Sequence, residues 1–170
     1  MVIIITEALV QTLVKYIFNS YLNEVDKVEI NGAPSWYMKP IDNNLCVFSY
    51  KSGEFNILDD IKHNSKIKLT KKINNLIEIS IYDNLKHIKN EQERTIIDLW
   101  KIDSKLPIFI DKNINYSRLT YEEEINSAFI RTCIPTQTII NYQKSRLNEI
   151  KREVVKVKMD SALEELDFEL

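Results

Sequence analysis

The sequence predicts an α+β domain: an antiparallel or mixed sheet of about four strands with helices on one face, plus an N-terminal helix and a long C-terminal helix. Three observations predict it. Leu45 to Tyr50 is a short apolar and aromatic run that reads as a strand. Leu58, Ile61, Ser65, Leu69, Ile73 and Leu76 then recur at three- and four-residue spacing, which puts them on one helical face. From Ile77 the period changes to two: Ile77, Ile79 and Ile81 alternate with Glu78, Ser80 and Tyr82, the signature of a half-buried strand.

Taken in order, the chain opens with an apolar stretch interrupted by Glu7, Gln11, Lys15 and Asn19 at four-residue steps. That spacing makes a polar stripe on an amphipathic helix within residues 1–30, whose wide apolar remainder calls for cover by protein. The stretch lacks the basic start and small-residue cleavage site of a secretion signal. Its charges come too early for a good membrane span.

Asn31-Gly32 and Pro34 break the pattern, and Trp36 and Tyr37 sit between Pro34 and Pro40. These two aromatics read either as a plug on the core or as an interface anchor. After the first strand, Gly53 marks a turn and Asn56 is a suitable N-cap for the helix. Asn90 and Glu93 have capping-box spacing ahead of a short helix carrying Ile96, Ile97 and Trp100. Pro107 ends that helix, and Ile108 to Ile110 are read as extended. Asn113 to Tyr121 and Ile125 to Ile134 form a hairpin around the polar turn Glu122 to Glu124, with Phe129 and Ile130 on opposite faces.

Pro135-Thr136 opens the last helix. Ile140, Leu147, Ile150, Val154 and Val157 continue along it at near-heptad spacing, and Lys144, Arg146, Lys151, Arg152, Lys156 and Lys158 make its outer surface basic. From Asp160 the sign reverses through Glu164, Glu165, Asp167 and Glu169. The expected division is therefore an N-terminal helix over 1–30, a single α+β domain over 34–152, and a helix end with an acidic tail over 153–170.

Composition bounds the function. A chain of 170 residues with 44% apolar and 28% charged residues suits one ordinary globular domain. A net charge of −2 supplies no global field toward nucleic acid or membrane. Cys46 and Cys133 lack metal-type spacing; two free buried thiols are the favoured reading and one disulfide the alternative. His63 and His87 are single, and only Gly32 and Gly53 are available for any phosphate-binding loop. No catalytic, cofactor-binding or metal site is expected.

The expected function is a non-enzymatic structural or interaction module that binds a protein partner or itself, without a small-molecule substrate. Interface candidates are Trp36, Tyr37, Leu147, Ile150, Val154 and Val157. One alternative is a cytoplasmic adaptor or export co-chaperone, in keeping with the unseen signal peptide. Another is a nucleic-acid binder using the Lys62 to Lys72 and Lys144 to Lys158 helix faces, the less favoured partner. Membrane association is expected to be peripheral at most.

Pro34-Ser35-Trp36-Tyr37 with Pro40, the run from Leu45 to Gly53, the helix from Ile57 toward Tyr82, and Ala128 to Leu147 with its Ile-Pro junction together carry a resemblance. The chain resembles the LPP-type small lipoproteins of helicobacter and campylobacter relatives, a family that includes the lipoprotein of the flagellar basal disc. The resemblance covers about Pro34 to Arg152. The family's signal peptide and lipobox cysteine are not seen, and its alanine-rich helix is here rich in Lys and Ile. The resemblance implies assembly into rings or discs, in a periplasmic or outer-membrane setting, rather than catalysis.

Overall fold

The computed structural model describes residues 30–86 and 104–168, together with Glu91, Arg94, Thr95 and Asp98, which are helical. The expected N-terminal helix, the capping box at Asn90 and Glu93, and the apolar residues Ile96, Ile97 and Trp100 lie outside the described residues.

The elements are β1 (Asn44–Ser52), a single 3-10 turn (Phe55–Ile57), α1 (Leu58–Leu85), α2 (Leu106–Asn113), β2 (Asn115–Glu122), a second 3-10 turn (Glu123–Ile125), β3 (Ser127–Pro135) and α3 (Thr136–Phe168). The class is α+β, and the sheet has three strands in the order β1-β3-β2, both pairings antiparallel. The fourth strand expected at Ile77 to Tyr82 is instead the end of α1. Ile77 and Ile81 are four apart and both buried, so the alternating run also satisfies a helical stripe that continues Ile73 and Leu76. The extended reading of Ile108 to Ile110 is likewise corrected to helix, because Leu106 and Ile110 bury one face of α2. Pro107 opens that helix rather than ending one, since a first-turn proline has no amide hydrogen bond to forfeit. Asn56 does not cap α1: it lies inside the 3-10 turn, and α1 starts without a side-chain cap. Asp59 and Asp60 in its first turn complement the positive end of the helix dipole.

Alternation along the strands divides the sheet into two covered faces. Leu45, Val47 and Ile134 face the helices, where they join Leu69, Ile73, Leu76, Ile110, Ile139 and Ile150 in the main core, while Ile130 on the same face packs with Ile57, Ile61 and Ala128 in a smaller cluster. Ser65 Oγ on α1 donates to Thr132 Oγ1 on β3 at 2.5 Å, both fully buried. The opposite face presents Cys46, Phe48, Tyr50, Phe129, Arg131 and Cys133, and the loop bearing Trp36 and Tyr37 lies over it. Helices thus cover one face of the sheet and an aromatic loop covers the other.

Cys46 and Cys133 are direct cross-strand partners in the β1–β3 register and form a disulfide, with Cα atoms 4.1 Å apart. This corrects the favoured reading of two free thiols. An antiparallel register that sets two cysteines face to face already brings their Cβ atoms into bonding reach.

Two glycines are required where they stand. Gly53 has φ 146° and Gly32 has φ 83°, and a Cβ at either would meet Ile57 Cγ2 at 3.0 Å or Ile125 Cγ2 at 2.9 Å. The Gly53 turn is fastened to the hairpin tip: its amide donates to Asn126 O at 2.8 Å, and Tyr121 Oη donates to its carbonyl at 2.9 Å.

Candidate interaction surface

α3 has 33 residues, roughly 50 Å of helix at 1.5 Å per residue. Its first part packs on the core through Ile139, Ile140, Gln143, Leu147, Ile150 and Val154. Beyond Val154 none of the residues described for burial is buried, and Val157 is half-buried. The expected boundary after Arg152 falls inside a continuous helix, two residues before its last buried side chain.

Four of the six sequence candidates cover the chain's own interior. Trp36, Leu147, Ile150 and Val154 are buried, so their apolar surface is already taken up within the molecule. Tyr37 is half-buried, edge-on to Phe129 at 4.9 Å and to Phe48 at 5.8 Å between ring centres. Burial, and secondarily the neighbouring Tyr50, pushes the Tyr37 hydroxyl up to about 12.

Trp36 is gripped by two arginines that sequence reading passed over. The guanidinium carbons of Arg118 and Arg131 lie 5.3 and 5.8 Å from its ring centre. The two arginines are cross-strand partners, an arrangement that repels in isolation. A register shift between Tyr116 and Arg118 brings them opposite each other. Ser117, at that irregularity, accepts from Arg131 Nε at 2.9 Å, while Arg131 Nη1 donates to Lys39 O at 3.0 Å. The indole lies within cation–π reach of both guanidiniums, which offsets part of the repulsion, and the cluster works as a clasp for the loop.

The uncovered apolar surface lies elsewhere. Val155, Met159 and Leu163 are 55%, 62% and 59% exposed. They stand four apart, so they form one stripe about 12 Å long. At 100° per residue that stripe points away from the side bearing Leu147, Ile150 and Val154. Upstream on the same outer side is a shallow cavity of about 420 Å³, lined among the described residues by Asn148, Lys151, Arg152 and Val155. Two interleaved apolar sets, 147/150/154 and 155/159/163, were the available signal in the sequence. A near-heptad reading keeps the first and overlooks the second.

The basic face of α1 is partly spoken for. Lys62 pairs with Asp59, Lys66 with Asp111 on α2, and Lys68 donates to Phe48 O at 3.4 Å. Burial lowers the pKa of Lys72. These arrangements use charge that a phosphate backbone would otherwise meet. His63 is exposed, and His87 lies outside the described residues. Among the described residues no group of His, Cys, Asp and Glu is arranged to hold a metal ion, and no helix is long and apolar enough to cross a membrane.

Comparison with known proteins finds no matching family model, no matching curated protein and no matching solved structure.

Proposed function

We propose that the chain is a non-enzymatic interaction module whose compact α+β body carries the distal half of α3 as its docking element. The observation that carries this reading is the stripe Val155, Met159 and Leu163, each more than half exposed on a helix that outruns its own core. A helix apolar on two sides has one side to build the domain and a second to meet another protein. Burying an aliphatic side chain of this size is worth roughly 1.5–3 kcal/mol, enough for three of them to anchor a moderate interface. The resemblance to the LPP-type lipoproteins points in the same direction, toward an assembly role at the envelope or flagellum. The Cys46–Cys133 disulfide favours that setting over a cytoplasmic adaptor, because disulfides persist in oxidising compartments.

The test is a double substitution, Met159→Glu with Leu163→Glu, made in the full chain. Both residues are exposed on the chain itself, so the circular dichroism spectrum is expected to stay at the wild-type value and unfolding to stay cooperative, with the melting temperature lower only by what assembly contributes. The mass of the native assembly, measured by light scattering and by crosslinking in cells, is expected to fall. Unchanged assembly in the folded double variant would refute the reading.

A further inference from the structure

We infer that the surface on distal α3 is occupied by a second copy of this chain, its α3 lying antiparallel to the first across a two-fold axis near Met159. This rests on the docking role proposed above and names the partner.

The charge order along α3 selects both the partner and its direction. Lys151, Arg152, Lys156 and Lys158 precede Met159 and outweigh Glu153 among them, and Asp160, Glu164, Glu165 and Asp167 follow it. A parallel pair would set base beside base and acid beside acid. An antiparallel pair sets the net basic half of each helix along the acidic half of the other, so one sequence supplies both signs of charge. The apolar stripe obeys the same symmetry. With the axis at Met159, the partner's Met159 faces Met159, and the partner's Leu163 faces Val155. The self-complementary patch that results is what a closed two-fold dimer requires.

The body of the molecule fits this register. One side of α3 is committed to the core as far as Val154, so the two α+β bodies sit at opposite ends of the helix pair rather than side by side. In the same register position 167 of the partner lies across from Lys151. The partner's acidic end therefore lies beside Lys151, Arg152 and Val155, which with Asn148 line the shallow cavity on this side of α3. The concavity and its two cations are placed to receive a negatively charged helix end.

Single-cysteine variants of the full chain test the geometry. The native Cys46–Cys133 disulfide is kept under non-reducing conditions, and a short bismaleimide joins only the introduced thiols. Met159→Cys alone is expected to give a covalent dimer. Val155→Cys alone and Leu163→Cys alone are expected to give little, since in an antiparallel pair each lies about 12 Å along the axis from its own copy. An equimolar mixture of those two variants is expected to crosslink well. Charge reversal of Lys151 and Arg152 to Glu should weaken the dimer roughly tenfold, the effect of a few exposed ion pairs, and added salt should narrow the gap.

Strong crosslinking of Val155→Cys alone and of Leu163→Cys alone would mean parallel helices and overturn the register. A folded, monomeric Met159→Cys chain whose thiol resists a monofunctional maleimide would mean that the stripe is covered from within, overturning this inference and the docking reading together. A monomeric wild-type chain that nonetheless loses a different protein on Met159→Glu/Leu163→Glu would overturn the self-pairing and leave the docking reading intact.

Discussion

Cys46 on β1 and Cys133 on β3 stand directly opposite each other and are covalently joined, 87 residues apart in sequence. The bond ties an edge strand from the first half of the domain to the central strand. It closes a loop that contains all of α1 and α2.

Removing that tie lengthens the leash on the unfolded chain and takes only the two buried sulfurs from the interior. The Cys46→Ala/Cys133→Ala variant is expected to lose about 2–4 kcal/mol of stability, largely by loosening the unfolded ensemble. For a domain of this size that corresponds to a melting temperature lower by about 5–15 °C. Calorimetry of the two proteins checks it. The far-ultraviolet spectrum should be unchanged, since the strands remain hydrogen-bonded without the bond.

The Ser65–Thr132 hydrogen bond is the buried polar link between α1 and the central strand. Thr132→Val alone strands the serine hydroxyl in the core and should cost about 1–3 kcal/mol. Ser65→Ala combined with Thr132→Val removes both polar partners and should cost clearly less than the sum of the single changes. A chemical-denaturation cycle measures the difference. Strict additivity would show that the bond contributes nothing of its own.

Tyr37 predicts a response to alkali. Its folded pKa of about 12 exceeds the ordinary 10.0, so the unfolded chain gives up this proton first. Its contribution to stability is complete below pH 10 and is lost as the pH rises toward 12. Tyr37→Phe should flatten the fall in melting temperature over that window. A phenolate absorbance titration should show one tyrosine fewer ionising near pH 12 in the variant.

Trp36 holds its loop from two sides. Trp36→Ala removes a buried indole and should cost about 3–5 kcal/mol. Arg118→Gln removes one exposed cation–π contact and also relieves a like-charge neighbour, so its net effect should stay within about 1 kcal/mol. Thermal unfolding of both variants separates the clasp from the plug.

The two halves of α3 should part company on truncation. A chain ending at Arg152 lacks the buried Val154 and uncovers Ile150, and is expected to melt several degrees lower. A chain ending at Lys158 keeps Val154 and Val157 and lacks Met159 and Leu163. It should melt within a few degrees of wild type while losing assembly mass. This replaces the simpler division at Arg152 drawn from heptad spacing.

What could be read from the sequence depended on how far each pattern ran. The face of α1 from Leu58 to Leu76 repeats over five turns, and only a helix satisfies it. Ile77 to Tyr82 is six residues long, and in that span alternation and a four-residue repeat share Ile77 and Ile81. Only their packing beside Ile73 and Leu76 decides for helix. Phe129 and Ile130 were separable to opposite faces because the hairpin is long and its turn is polar. The register that sets Cys46 against Cys133 depends on partners 87 residues apart, and no local pattern carries it. The stripe 155/159/163 was hidden by its own neighbour, since Val154 and Val155 satisfy two faces with one run of apolar residues.

The strand order β1-β3-β2 has a consequence for how this protein is made. The strand in the middle of the sheet is the last to leave the ribosome. Until Pro135 has emerged, β1 lacks the one partner it has among the described strands, and α1 has only part of a surface to lie on. The hairpin β2–β3 can close at once, but β1 must then be recruited across everything synthesised in between. The nascent chain therefore carries an aromatic-rich strand without its β3 partner through about half of its synthesis. The domain commits to its shape only when α3 begins to appear.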